Sequence, residues 1–80
     1  MSALDIYNQA FIEVITVTPK ELNESLVYQS VPHWDSVGHM QLITVLEDAF
    51  DIMLDTDDII DFSSYEIGKE ILKKYDVDFS

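Results

Sequence analysis

Two histidines, His33 and His39, flank an aspartate and a serine, Asp35 and Ser36, and no other short stretch gathers as many groups able to move a proton or form a bond. An Asp, a Ser and a His together suggest nucleophilic catalysis, in which a base activates the hydroxyl and fixed donors hold the oxyanion. Asp35, Ser36 and His39 crowd the exposed start of a helix, where there is no oxyanion hole and no shelter from water. No triad is expected, and no catalytic residue is assigned. The chain has no cysteine, so disulfides and thiolate metal sites are excluded and any thiol chemistry must come from an attached group. With no glycine-rich phosphate loop and only 80 residues to wall off water, an enzyme is not expected. Both histidines are expected at the surface or at the edge of the core, without a ligand role.

The carboxylates raise the question of calcium. Asp55, Asp57, Asp61, Ser63 and Glu66 match the first, third, seventh, ninth and twelfth positions of an EF-hand loop. The match fails at Ile59 and Ile60, which remove a ligand and replace the glycine of the sharp turn with a β-branched residue. Weak, nonspecific divalent binding is the expectation, and no metal site is assigned.

Four Lys and Arg residues against 16 Asp and Glu give a formal charge of −12. That charge repels nucleic acid and anionic lipid and favours partners with basic patches. Acidic disordered chains are poor in apolar residues, whereas 48% of this chain is hydrophobic, so it is expected to fold. Its length suits one domain over residues 1–80 and a monomer. The N-terminal residues lack a basic start and an unbroken apolar run, and no stretch approaches the ~20 apolar residues of a membrane span. The expected compartment is the cytoplasm.

The elements that must position Asp35 and Ser36 follow from apolar spacing. Leu4, Tyr7, Phe11, Val14 and Ile15 predict a helix from Ala3 to about Ile15, ended by Thr16, Val17, Thr18 and Pro19. A long connection from Lys20 to Trp34 carries the anchors Leu22, Leu26, Val27 and Val31. Ser36 to about Phe50 is the strongest helix, with Leu42, Leu46, Ala49, Phe50 and Met53 on one arc and Ile43 at its edge. The opposite arc carries Val37, Met40 and Thr44 among Gln41, Glu47, Asp48 and Asp51. This is more apolar surface than solvation requires and suggests docking, although Val37 and Met40 packing under a loop stays open. Thr56 to Asp61 predicts a short helix with Thr56 as N-cap and Ile59, Ile60 and Phe62 as buried anchors. Ser64 caps a last helix to about Tyr75, with Tyr65, Gly68, Ile71, Leu72 and Tyr75 on its core face. The tail from Asp76 to Ser80 is expected to fray, with Phe79 able to tuck back. The fold class is all-α, a four-helix bundle with a long first connection and a short third helix.

The segment WDSVGHMQLITVLEDAF, residues 34–50, combines a serine at a helix mouth, an aspartate before it and a two-faced helix after it. It resembles the Asp-Ser helix of acyl carrier proteins, with Ser36, Leu42, Leu46, Glu47 and Phe50 at the family's spacing. The resemblance extends over the whole chain in its element order, length and acidity. A bare Asp-Ser pair carries no such signal, because either residue can simply cap a helix.

The resemblance implies that Ser36 carries 4'-phosphopantetheine, transferred from coenzyme A by a phosphopantetheinyl transferase, with Asp35 supporting the modification. Acyl or aminoacyl groups would travel on this arm as thioesters between a loading ligase and downstream enzymes with basic docking patches. The docking face would be Val37, Met40, Glu47 and Asp48. Gly38 and Gln41 stand where fatty-acid carriers usually have acidic residues. Trp34, Gly38 and His39 look more like free-standing carriers of specialised pathways, such as polysaccharide, aminoacyl or natural-product assembly. The alternative is an acidic interaction module that has kept the carrier fold without the prosthetic group.

Overall fold

The computed structural model describes residues 2–79. Helix α1 (Ala3–Ala10) is capped by Ser2, whose hydroxyl accepts from the Asp5 N–H, and runs on into wider π-helical turns over Phe11–Ile15. Together they cover the expected first helix, with Tyr7, Phe11 and Ile15 fully buried. Thr16 then adopts left-handed backbone at φ 61°, a costly conformation for a β-branched residue, and the helix ends there. Pro19 opens a single 3₁₀ turn to Glu21.

The connection up to Trp34 is pinned across the molecule. Tyr28 donates its N–H to the Ser63 carbonyl at 2.8 Å, and Tyr65 donates to the Leu26 carbonyl at 2.9 Å. Leu26 and Trp34 are buried, and Leu22 and Val31 are half-buried. Val27, expected as an anchor, is 41% exposed. It pairs with Ser64 in an isolated antiparallel bridge, and successive side chains of extended backbone point to opposite sides, so Leu26 goes in and Val27 out.

Helix α2 (Ser36–Phe50) buries Leu42, Ile43 and Leu46. Ile43 therefore lies in the core, not at its edge. Ala49 and Met53, expected on the core arc, are exposed, Met53 at 83%. Asp51 takes left-handed backbone at φ 53° and stops the helix, so helical spacing no longer governs residue 53, and Leu54 packs inward instead. Ala49 borders a shallow cleft with Ile6, Ala10 and Val45 between α1 and α2.

Helix α3 (Thr56–Asp61) begins after Asp55, which holds the cap position without a side-chain bond; Thr56 is its first residue and not the cap. Ile60, expected to be buried, is 71% exposed, and Asp58 is buried in its place. Residues two apart on a helix face nearly opposite ways, and Asp58 is the one turned to the end of the next helix. There its carboxylate accepts from the Lys74 ammonium and from the Tyr75 hydroxyl.

Helix α4 (Tyr65–Lys73) is capped by Ser64, whose hydroxyl accepts from the Ile67 N–H at 3.0 Å. A β-carbon on Gly68 would stand 2.3 Å from both the Phe62 ring and the Tyr7 hydroxyl, so this glycine lets α4 lie directly on them. The tail does not fray within the described residues. Val77 is buried, and the Phe79 ring packs 5.3 Å from Tyr7 and 6.4 Å from Phe50; Ser80 lies outside the described residues.

The core is aromatic at its centre. Phe11 meets Tyr7 at 5.0 Å, Trp34 at 5.3 Å and Tyr65 at 5.4 Å, each edge to face, an arrangement that suits the ring quadrupoles. The Tyr7 hydroxyl donates to the Tyr65 carbonyl at 2.7 Å, and burial holds its pKa well above the ordinary tyrosine value. The fold is all-α, with four α-helices and no strand among the described residues. No described helix is long and apolar enough to cross a membrane.

Candidate functional site

Asp35 and Ser36 form the corner where the long connection enters α2. Asp35 is the N-cap: its backbone is extended, and its Oδ1 accepts from the Gly38 N–H at 2.9 Å. Ser36 is the first residue of the helix and is exposed. Ser2 and Ser64 use their hydroxyls as caps. Ser36 does not, because Asp35 already performs that task, and its hydroxyl makes no hydrogen bond among the described residues. The α2 N-terminus therefore holds an unengaged alcohol in a setting that favours a negative charge.

Two apolar depressions meet at Ser36. One, about 310 Å³, lies between α2 and α3 and is lined by Tyr28, Ser36, His39, Met40, Ile60 and Phe62, among others. The other, about 660 Å³ and shallower, is lined by Val14, Ser36, Val37, Met40, Thr44 and Val45. Val37 is 66% exposed and Met40 51%, so neither packs under a loop. The structure thus brings Val37 and Met40 to Ser36. Glu47 and Asp48 lie three turns further on, about 17 Å along the helix axis. Asp48 is exposed, but Glu47 is half-buried, and its Oε2 accepts from the Leu54 N–H at 2.9 Å. Glu47, expected on the docking face, is tied to the chain that follows α2.

Three of the four lysines are paired with carboxylates. Lys69 pairs with Glu66, Lys73 with Glu70 and Lys74 with Asp58, all at or beside α4. No cluster of three metal-ligating side chains forms among the described residues. The centre of the calcium-like spacing is taken up by α3 itself, and helical backbone does not wrap an ion as a loop does.

No family model, curated protein or solved structure matches this chain. The geometry of the chain itself is therefore what bears on function.

His33 is exposed, and His39 lies at the edge of the core, both as expected. Sequence reasoning missed what His39 touches. Its Nδ1 faces the indole Nε1 of Trp34 at 3.1 Å, and its Nε2 faces the Ile59 carbonyl at 2.9 Å. No local signal points to these contacts, because Ile59 lies 20 residues further along the chain. The exposed Ile60 beside the groove was also missed, because the apolar pair Ile59 and Ile60 suggested two buried anchors.

Proposed function

We propose that this chain is a carrier of the acyl carrier type, bearing 4'-phosphopantetheine on Ser36 and delivering acyl or aminoacyl thioesters to partner enzymes. The observation that carries this reading is the exposed Ser36 hydroxyl at the mouth of α2, relieved of capping by Asp35. The four-helix order, with its long first connection and short third helix, fits the carrier fold that the Asp-Ser helix suggests.

The residues present suit the group. Ser36 projects from an exposed corner, so a bulky phosphodiester displaces no packed side chain. The N-terminal end of a 15-residue helix favours the added negative charge. Asp35 holds the first turn through Gly38 and so fixes the backbone from which the hydroxyl projects. The group, once attached, supplies the thiol that a chain without cysteine lacks.

Val37 and Met40 are the apolar contacts for a partner reaching Ser36, with Asp48 as an acidic one and Glu47 partly committed to Leu54. A partner with a basic patch is drawn to a chain of formal charge −12, which speeds encounter without long residence. Tethering keeps the cargo at high local concentration even when docking is weak. Partners of this kind are a phosphopantetheinyl transferase, a loading ligase and downstream acyl-processing enzymes. The reading places a monomer in the cytoplasm, where coenzyme A is at hand. Gly38 and Gln41 leave the first turns of α2 less acidic than in fatty-acid carriers, which favours a specialised pathway.

The test is a thiol titration. Incubation with coenzyme A and a broad-specificity transferase, followed by removal of small molecules, should leave a titratable thiol on the chain and none on Ser36→Ala. A native chain that binds partners but never gains a thiol is instead the interaction module.

A further inference from the structure

His39 is held at both ring nitrogens, by Trp34 at the end of the long connection and by Ile59 of α3. The Trp34 indole N–H lies 3.1 Å from Nδ1, and the Ile59 carbonyl lies 2.9 Å from Nε2. An indole nitrogen can only donate and a carbonyl can only accept. These partners therefore fix one neutral tautomer, in which Nδ1 accepts and Nε2 carries the proton and donates it to Ile59.

The two partners occupy positions that matter to Ser36. Trp34 is fully buried against Phe11 and lies two residues before Ser36, at the end of the long connection. Ile59 belongs to α3, a helix of only 6 residues that forms the opposite wall of the groove beside Ser36. So short a helix has little stability of its own and takes its position from what it is tied to. The imidazole also packs among rings, 5.4 Å from Tyr28, 6.3 Å from Trp34 and 5.9 Å from Phe62.

We infer that His39 is a positioning residue that couples α3 to Trp34, setting the width of the groove and the placement of the Asp35–Ser36 corner against its far wall. What the groove serves rests on the carrier reading: Met40 and Ile60 line it beside Ser36, so a partner reaching Ser36 meets both.

The first measurement needs no variant. Ring nitrogen shifts of the native chain at neutral pH should show the His39 proton on Nε2; a proton on Nδ1 overturns the inference. Amide exchange then tests the coupling. Trp34→Phe removes the indole donor without touching α3, yet it should speed exchange of the Phe62 amide, which bonds to Asp58 within α3, about fivefold, the effect of one hydrogen bond. In a His39→Phe background, which keeps a ring but loses both ties, Trp34→Phe should add only what the smaller buried ring costs, less than it does alone, because the tie it would break is already gone. Independent effects in that double-mutant cycle overturn the coupling. For presentation of Ser36, either variant should raise the transferase KM several-fold with a smaller change in kcat. Faster α3 exchange with unchanged loading constants overturns the bearing on Ser36. A native chain that is never loaded refutes the carrier reading and leaves the tautomer and exchange results to stand or fall separately.

Discussion

The carbonyl oxygen of His33 lies 2.0 Å from the place that a β-carbon on Gly38 would occupy. The obstacle is backbone, so it cannot swing aside as a long side chain would, and α2 can start against the loop only with glycine there. A carboxylate at that site would have no room.

Gly38→Ala is therefore expected to lower stability by about 1–3 kcal/mol, as overpacking does, despite alanine's better helix propensity. Urea denaturation measures it. A variant as stable as the native chain would mean that the loop carrying His33 yields freely.

Glu47 and Asp48 should part company. Glu47→Ala strips the Leu54 N–H of its acceptor and should cost about 1–2 kcal/mol. Asp48→Ala, at an exposed position near the negative end of the α2 dipole, should leave stability within about 0.5 kcal/mol or raise it slightly. Loading by partner enzymes should nevertheless slow in Asp48→Ala. Equal thermal losses in the two variants would remove the structural role given to Glu47.

The clasp between α3 and the end of α4 should be acid-labile. Hydrogen bonds from Lys74 and then from Tyr75 hold the Asp58 carboxyl below the ordinary aspartate pKa, against the opposing effect of burial. A carboxyl with a depressed folded pKa adds stability that is fully present above its unfolded pKa and is lost as pH falls through the folded value. Asp58→Asn should thus be less stable than the native chain at pH 7, and the gap should close as pH drops below the ordinary aspartate range. Thermal melts of the two proteins across that range would show it; a gap that stays constant down to strong acid would contradict it.

With a formal charge of −12, the folded chain repels itself. Raising salt from 0.01 M to 0.1 M shortens the screening length from about 30 Å to about 10 Å. The melting temperature should rise over that interval, and divalent cations should raise it further. A melting temperature indifferent to ionic strength would show that the carboxylates are too far apart to matter.

How much of this was visible in the residues depends on how local the cause is. Leu42, Leu46, Ile71 and Leu72 were legible because each belongs to a long amphipathic stripe, and the Ser64 cap was legible because its partner lies three residues away. Met53 was misplaced because the left-handed turn at Asp51 cancels the helical period just before it. Ile60 and Asp58 were exchanged because Lys74 and Tyr75, which draw Asp58 inward, come 16 and 17 residues later. Trp34 sits in a stretch without periodicity, and its place in the core comes from contacts with Phe11, Tyr28 and His39 that no local pattern announces. At the site, the Asp35–Ser36 corner was legible from type and spacing. That Asp35 takes the cap and leaves Ser36 unengaged required the geometry.

The most direct test is the mass of the intact chain after incubation with coenzyme A and a broad-specificity phosphopantetheinyl transferase, followed by fragmentation of the peptide that holds Asp35 and Ser36. The expected result is a gain of one phosphopantetheine, localised to Ser36 and absent from Ser36→Ala. An unmodified native chain, or a group found on any other residue, would contradict it.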